Sequence, residues 1–428
     1  MGLSYAHGAI QWLSADAVNT TYVISGLAFQ PKALRFWWTG IQSSTDATST
    51  TADARRGMGF AVDTTHRRSC GTLSLDNVAT ASCATFAHDA AIAGTVSSAG
   101  AVDGLLDLSA VASDGFTAIV DDVVPVNLTV FWEAWGGSDM TVMAVGSITE
   151  PAASGNQSYS VTGLTAGATD QVVFLAGTKY TGAIPGGAAL SSGFCVGATT
   201  GTASARNIMV GGNSVQTDSA TQGWSHTGEC LGMVPDTPDG TLNLRATLNS
   251  FDTDGFTLNY LETTAAARKF IYLAMKGGAW QAGSYTINDQ TIGNTATVSG
   301  LSFTPIGFNL MGAGVDEDTT DRSRVEDGVA LGCASSTSSR RSQGVGDRDG
   351  VSPSQIRTGL QYDQVLTTVI STLLGDFDVN AMNADGFQII VDTAAGTSIN
   401  EWQGYVAFGD APVAGGAALM GQLVVVNP

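Results

Sequence analysis

The feature that most constrains the fold is a segment that occurs three times along the chain. A Gly-Leu pair next to an apolar stretch begins at Gly26, Gly163 and Gly300, so successive copies are about 137 residues apart. Two equal spacings are not expected by chance, and a unit of this length matches an ordinary domain rather than a short solenoid repeat. The sequence therefore predicts three similar units in tandem.

Each copy also contains an Asp-Gly-Phe marker followed by an apolar run, at residues 114–116, 254–256 and 385–387. In the second copy, Asp252 and Asp254 resemble the start of a calcium loop, but Ala112 and Asn383 replace Asp252 elsewhere. The shared pattern thus predicts a turn, in which Asp binds backbone amides and Gly adopts positive φ. We expect three equivalent buried rings, Phe116, Phe256 and Phe387, each following a turn glycine, Gly115, Gly255 or Gly386.

The repeat and its composition predict an all-β protein. The 53 glycines and the abundant Thr favour turns and short strands over long helices. We expect three tandem antiparallel β-sandwich domains, jelly-roll-like or immunoglobulin-like, at residues 1–143, 144–281 and 282–428. Short helices are allowed only near residues 14–18, 82–94 and 353–374. The apolar tail 415–428 is either a strand that pairs with a neighbouring subunit or an edge strand of the third domain.

The charge balance excludes some classes of partner. There are 38 acidic and 18 basic residues, and the formal net charge is −20, which repels phosphate backbones and disfavours nucleic-acid binding. The arginine pairs at 55–56, 67–68 and 340–341 are interpreted as solvated or locally salt-bridged. No apolar run is long enough for a membrane span, and the first residues do not resemble a secretory signal.

A search for catalytic patterns favours a non-enzymatic protein. The four histidines form no HExxH or other metal-ligand spacing, and no phosphate loop or nucleophile elbow is present. A hydrolase stays an alternative, although no pair of carboxylates is preferred for glycoside hydrolysis. No cofactor is predicted.

Three positions are candidates for ligand contact. Trp224 and His226 lie in TQGWSHTGEC, where they form either an exposed patch that stacks on a sugar or partner, or a loop anchored by a half-buried Trp. Trp280 is a further aromatic candidate for sugar binding. For metal, the weak candidates are Asp316, Asp318 and Asp321, in a run without EF-hand order that also reads as a solvated acidic loop.

The five cysteines form no zinc-site pattern. Cys70 with Cys83, and Cys195 with Cys230, are spaced for local disulfides, while buried free thiols are the alternative.

The three-copy pattern and the segment DGFTLNYLETTAAARKFIYLAMKGG (254–278) resemble tandem β-sandwich virion proteins of tailed bacteriophages. This resemblance implies a structural role as capsid decoration, tail or fibre component. It implies other virion proteins as partners, in a homo-oligomer or a capsid or tail lattice, and location in a virion after synthesis in the host cytoplasm.

A looser likeness is to H-type lectin domains, through FQPKALRF (29–36), FTPIGFNL (303–310) and the three Asp-Gly-Phe segments. The second copy departs, with TAGATDQVVF at the first of these places, and each unit is about twice the size of that family, so no sugar-binding residue is carried over. Such lectins are trimeric, which implies a pseudo-trimer within one chain. The alternative function is accordingly a carbohydrate-binding adhesin that recognises a cell-surface glycan.

Overall fold

The computed structural model shows an all-β protein. It describes residues 2–188, 191–213, 221–235, 241–288, 291–313, 326–348, 350–370, 373–393 and 400–411. Within these ranges the regular elements are strands, which confirms the predicted fold class, and no helix capable of crossing a membrane is found there.

The first repeat comprises eleven strands: β1 (Leu3–Trp12), β2 (Thr21–Ile24), β3 (Pro31–Trp38), β4 (Ala47–Ser49), β5 (Ala54–Ala61), β6 (Arg67–Ser74), β7 (Cys83–His88), β8 (Ala93–Val96), β9 (Val102–Ala112), β10 (Gly115–Asp122) and β11 (Leu128–Gly137). Six of them form a large antiparallel sheet in the order β1-β11-β3-β5-β6-β7. Four form a small sheet in the order β2-β10-β9-β8.

The second repeat comprises β12 (Val142–Thr149), β13 (Gly155–Ser160), β14 (Gln171–Thr178), β15 (Gly186–Ala188), β16 (Ser191–Gly201), β17 (Ser204–Asn213), β18 (Thr221–Thr227), β19 (Leu231–Met233), β20 (Leu244–Asp252), β21 (Gly255–Thr263) and β22 (Lys269–Lys276). Its large sheet has the order β12-β22-β14-β16-β17-β18, and its small sheet has the order β13-β21-β20-β19.

The third repeat comprises, among the described residues, β23 (Ala279–Asn288), β24 (Thr295–Val298), β25 (Pro305–Gly312), β26 (Glu326–Ser336), β27 (Ser339–Arg348), β28 (Ile356–Gln361), β29 (Leu366–Ile370), β30 (Leu373–Asn383), β31 (Gly386–Thr393) and β32 (Asn400–Gly409). Its large sheet is β23-β32-β25-β26-β27-β28, and its small sheet is β24-β31-β30-β29. Strand order is therefore the same in all three repeats.

Within each repeat, the large and small sheets enclose a sandwich core. In the first repeat, Phe36 and Trp132 of the large sheet pack with Phe116 and Leu106 of the small sheet. Along β9, alternate residues from Gly104 to Leu108 are buried, as expected for a strand with one face on a core. Equivalent cores occupy the second and third repeats.

A fourth core joins the repeats. The outer faces of the three large sheets pack against one another, so the large sheets are covered on both sides. Strands β5 and β14 are consequently buried at every residue. A strand buried on both faces has little need for a polar side, which explains why the alternation in the sequence was imperfect.

Two features differ from the sequence predictions. The short helices expected at 82–94 and 353–374 are wrong for the described residues, which form β7, β8, β28 and β29, and residues 14–18 form a turn. The alanines of residues 82–94 favour helix, but pairing with neighbouring strands prevails in both segments. The division into three domains stays a prediction, and its boundaries at 143/144 and 281/282 fall inside β12 and β23.

Candidate functional site at the junction of the repeats

The Gly-Leu pair and the Asp-Gly-Phe segment of each repeat are in contact. The carboxylate of Asp254 accepts a hydrogen bond from the Gly163 backbone N–H at 2.7 Å. The same bond links Asp114 to Gly26 at 3.3 Å and Asp385 to Gly300 at 3.1 Å. Gly26, Gly163 and Gly300 all have positive φ, which glycine adopts readily. In each repeat, the Asp side chain of one turn is therefore hydrogen-bonded to the glycine of another turn.

The three phenylalanine rings are buried at equivalent places, as the sequence predicted: Phe116, Phe256 and Phe387 are at most 1% exposed. The role assigned to the preceding glycines needs correction. Gly115, Gly255 and Gly386 are absent from the positive-φ residues, and in the second copy it is Asp254 that has φ of 60°. A Cβ at Gly115 or Gly386 would overlap the carbonyl oxygen of the adjacent edge strand, so close backbone approach requires glycine there.

The large sheets meet in a cyclic order. Strands β6 and β7 contact β12 and β16, β17 and β18 contact β23 and β26, and β27 and β28 contact β1 and β5. Each repeat therefore presents one edge region to the next, and the third contacts the first. This geometry approximates a threefold arrangement within a single chain.

Two short strands cross from one repeat to another, and we call them straps. Strap β4 of the first repeat pairs antiparallel with β28 of the third, and strap β15 of the second pairs with β7 of the first. Both straps lie between the third and fifth strands of their own repeat and extend a neighbouring large sheet. The connection between these two strands therefore joins neighbouring repeats.

Aromatic side chains fill the centre of the junction. Trp135 of the first repeat lies 5.8 Å from Phe174 of the second and 5.8 Å from Phe408 of the third, between ring centroids. Trp280 lies 5.3 Å from Phe408, and Tyr5 lies 4.6 Å from it. Aromatic contacts at these separations add to the stabilisation from burial.

One ion pair contacts all three repeats in this centre. Arg35 Nε lies 2.6 Å from Glu133 Oε2, and both side chains are almost fully buried. The Arg35 guanidinium lies 5.1 Å from the ring centroid of Phe174 in the second repeat. Asn309 of the third repeat donates its amide N–H to Glu133, and Tyr5 donates its hydroxyl to the same carboxylate at 2.7 Å.

The positions of this centre are equivalent but chemically different. Arg35 pairs with Glu133 across β3 and β11, and Phe174 pairs with Leu273 across β14 and β22. The third repeat has Asn309 opposite Val406. Burial raises the pKa of Glu133, and the Arg35 charge and the donated hydrogen bonds oppose this rise.

The predicted ligand candidates lie inside the protein. Trp224 is 2% exposed on β18 and packs in the core of the second repeat, and Trp280 is 5% exposed in the central junction. His226 is also buried, and its Nδ1 lies 3.5 Å from Glu229 Oε2. The interpretation of Trp224 and His226 as an exposed patch is therefore wrong, because β18 is covered by the small sheet and by the next repeat.

The predicted metal candidates Asp316, Asp318 and Asp321 lie outside the described residues, as does the tail 415–428. Among the described residues, no group of three His, Cys, Asp or Glu side chains has metal-binding geometry. Asp252, the second carboxylate of the calcium-like segment, accepts hydroxyl hydrogen bonds from Ser250 and Thr257, each at 2.6 Å.

The arginine pairs are local structural groups. Arg67 pairs with Asp107 and Arg340 pairs with Asp378, at equivalent places in the first and third repeats. The following arginines, Arg68 and Arg341, each donate Nη1 to the preceding carbonyl oxygen. The salt-bridged interpretation is confirmed for Arg67 and Arg340. It also holds for Arg55, which pairs with Asp53, and the solvated interpretation is wrong for the buried Arg55 and Arg56.

All five cysteines are free and buried, so neither local disulfide is formed. Burial raises the pKa of Cys195 to about 12 and also raises that of Cys70. Neutral buried thiols of this kind are poor nucleophiles.

Sequence reasoning missed Arg35, Glu133 and Asn309. Their signal was present in the repeat itself, as unlike residues at aligned positions within apolar strands.

No family model and no curated protein matches the sequence. Two solved structures of a fructofuranosidase from Schwanniomyces occidentalis, with fructose and with fructosyl-erythritol, have 8% and 9% identity to this chain. They cover 91% and 95% of this chain and 97% of their own, but their TM-scores of 0.12 carry no argument about fold or function.

Proposed function

We propose that this chain is a non-enzymatic structural protein of a bacteriophage particle, acting as a capsid decoration or as a tail or fibre component. The observation that carries the proposal is the junction, in which three equivalent sandwiches are joined by one buried core and two straps. Such a chain supplies a rigid block with repeated outer surfaces, which suits assembly into a lattice better than turnover of a substrate.

The distribution of reactive groups supports a non-enzymatic role. The buried ionisable residues of the junction are engaged with one another, as Arg35, Glu133 and Tyr5 illustrate. The described histidines and cysteines form no metal-binding group. Electrostatic repulsion from the net charge of −20 also makes contact with other proteins more favourable than contact with genomic nucleic acid.

The test is to find the chain in its native particle. Phage particles from a lysate of the source should be purified by density gradient, and their proteins identified by mass spectrometry. We expect the chain to co-purify with particles in a fixed ratio to the major capsid or tail protein. Its absence from particles, with recovery only in the soluble fraction, would refute the proposal.

A further inference from the structure

We propose that a cleft at the end of the small sheet of the second repeat binds a neutral saccharide. The cleft has a volume of about 530 Å³ and is open to solvent. Its lining includes Ala153, Leu242, Asn243, Leu261, Glu262 and Thr264. This inference goes beyond the proposed structural role and does not depend on it.

One wall of the cleft is built on a buried ion pair. Arg268 Nη1 lies 2.9 Å from Glu150 Oε2, with both side chains at most 3% exposed. Glu150 Oε1 accepts hydrogen bonds from the Thr263 hydroxyl at 2.8 Å and from the Thr264 backbone N–H at 2.9 Å. The wall is thereby held in one geometry before any ligand arrives, which reduces the ordering cost of binding.

The chain just beyond this wall is strained. Ala265 and Ala267 have φ of 59° and 58°, a region that residues with a side chain rarely adopt. Such conformations persist where the surrounding structure imposes them, and they occur preferentially at functional sites. The anchored Thr263–Thr264 wall and the strained turn are two independent features of the same rim.

The cleft distinguishes the second repeat from its neighbours. Ala153 in its lining is small, whereas the chain before the edge strands β2 and β24 of the other repeats carries Val18 and Ile292, which are 47% and 67% exposed. Strand register places Leu261, 43% exposed, at the bulge where the other repeats have Asp121 and Asp392. The smaller residue leaves space, and the leucine supplies an apolar surface beside it.

The groups in the cleft fit a hydroxyl-rich, uncharged ligand. Leu242 and Leu261 can contact the C–H face of a sugar ring, while the half-exposed Glu262 carboxylate can bond its hydroxyls. Asn243 is 8% exposed, and its buried Nδ2 has no hydrogen-bond partner among the described residues, so it lies behind the surface of the cleft. Glu262 and the overall acidity of the chain disfavour anionic sugars.

The cleft is suited to binding and not to hydrolysis. Glycoside hydrolysis requires two carboxyl groups, one of them protonated and able to donate to the leaving oxygen. Here Glu150 is held by Arg268, and Glu262 lies 3.4 Å from Arg245 Nη1. Both carboxylates are thus engaged by an arginine of the protein.

The experiment is ligand-observed NMR on the full chain with methyl glycosides of glucose, galactose, mannose and N-acetylglucosamine, and with sialyllactose as an anionic probe. We expect at least one neutral glycoside to bind with a dissociation constant in the range of about 0.1 to 10 mM. Leu261→Asp, which copies the residue of the other repeats, should weaken that binding by at least about tenfold. Glu262→Gln should weaken it less.

The matched control is Ile292→Asp, which places the same charge at an exposed apolar residue of the third repeat. It should leave glycoside binding unchanged. The proposal is overturned if no neutral glycoside binds at about 10 mM, if only sialyllactose binds, or if Ile292→Asp weakens binding as much as Leu261→Asp. Incorporation of the Leu261→Asp chain into particles should be normal, so this outcome is separate from that of the structural proposal.

Discussion

The sandwich cores and the central junction of this protein use the internal repeat in opposite ways. In the sandwiches, the ring of the Asp-Gly-Phe marker is the same at each equivalent position, as Phe116, Phe256 and Phe387 show. In the junction, equivalent positions carry different residues, and the contacts depend on this difference. The Arg35 guanidinium packs against the ring of Phe174, and Asn309 donates a hydrogen bond to Glu133, the partner of Arg35. Residues shared by the repeats thus form each sandwich core, and residues that differ between them form the contacts that join the repeats.

The largest effect is expected from Glu133→Leu, which leaves Arg35 buried without its counter-ion. Removing one partner of a buried pair costs about 3 to 5 kcal/mol. Denaturant unfolding should show this loss, and hydrogen exchange should show weaker protection in all three large sheets. The double variant Arg35→Phe/Glu133→Leu copies the Phe174 and Leu273 pair and should recover most of the stability. A double variant as unstable as the single one would contradict the ion-pair explanation.

A sandwich core should respond locally. Phe256→Ala removes a buried ring that lies 5.3 Å from Tyr272 and should cost about 3 to 5 kcal/mol through the cavity it leaves. Hydrogen exchange should increase mainly in β20, β21 and β22 of the second repeat. If protection falls equally in the first and third repeats, the distinction between junction and sandwich cores does not hold.

The third repeat should make stability depend on pH. Burial raises the pKa of Asp376 to about 6, and the neighbouring carboxylates of Asp392, Asp363 and Asp46 add to the rise. The hydroxyl of Thr367 opposes it, and Arg340 pairs with the nearby Asp378. The folded state therefore holds this proton more tightly than the unfolded chain.

Stability should then fall as pH rises from about 4 to above 6, by roughly 2 to 3 kcal/mol for a shift of about two pKa units. Unfolding by denaturant at several pH values measures this slope. Asp376→Asn should flatten it. An unchanged slope in that variant would assign the dependence to another group.

The smallest effect is expected at a strap. A side chain at Gly187 of β15 would meet the Gly100 carbonyl oxygen at 2.8 Å and Val96 at 3.1 Å, so Gly187→Ala should displace the strap from β7. Crowding of this kind costs about 1 to 3 kcal/mol. Exchange should rise along Thr85–Ala87, the edge that β15 covers. Gly201→Ala, whose added Cβ meets no atom within 4 Å, is the control and should change neither the stability nor the exchange along Thr85–Ala87.

The all-β class, the recurring turn and the three buried phenylalanines could be predicted from the sequence because each depends on local pattern and on comparison between copies. The junction could not. In the sequence, Trp280 and Trp224 are candidates for exposed ligand contact, and they are buried only because one sheet face packs on another. Likewise Arg35 and Glu133 lie 98 positions apart along the chain, and nothing in their immediate neighbours indicates that they meet.

The straps carry a consequence for synthesis. Because β4 pairs with β28, and Glu133 accepts a hydrogen bond from Asn309, the first repeat stays incomplete until the third has been translated. During that interval Trp135 and Tyr5 lack the cover of Phe408. The nascent chain thus exposes an apolar face until the third repeat is complete, and slower translation of that repeat should lengthen the time for which chaperones are needed.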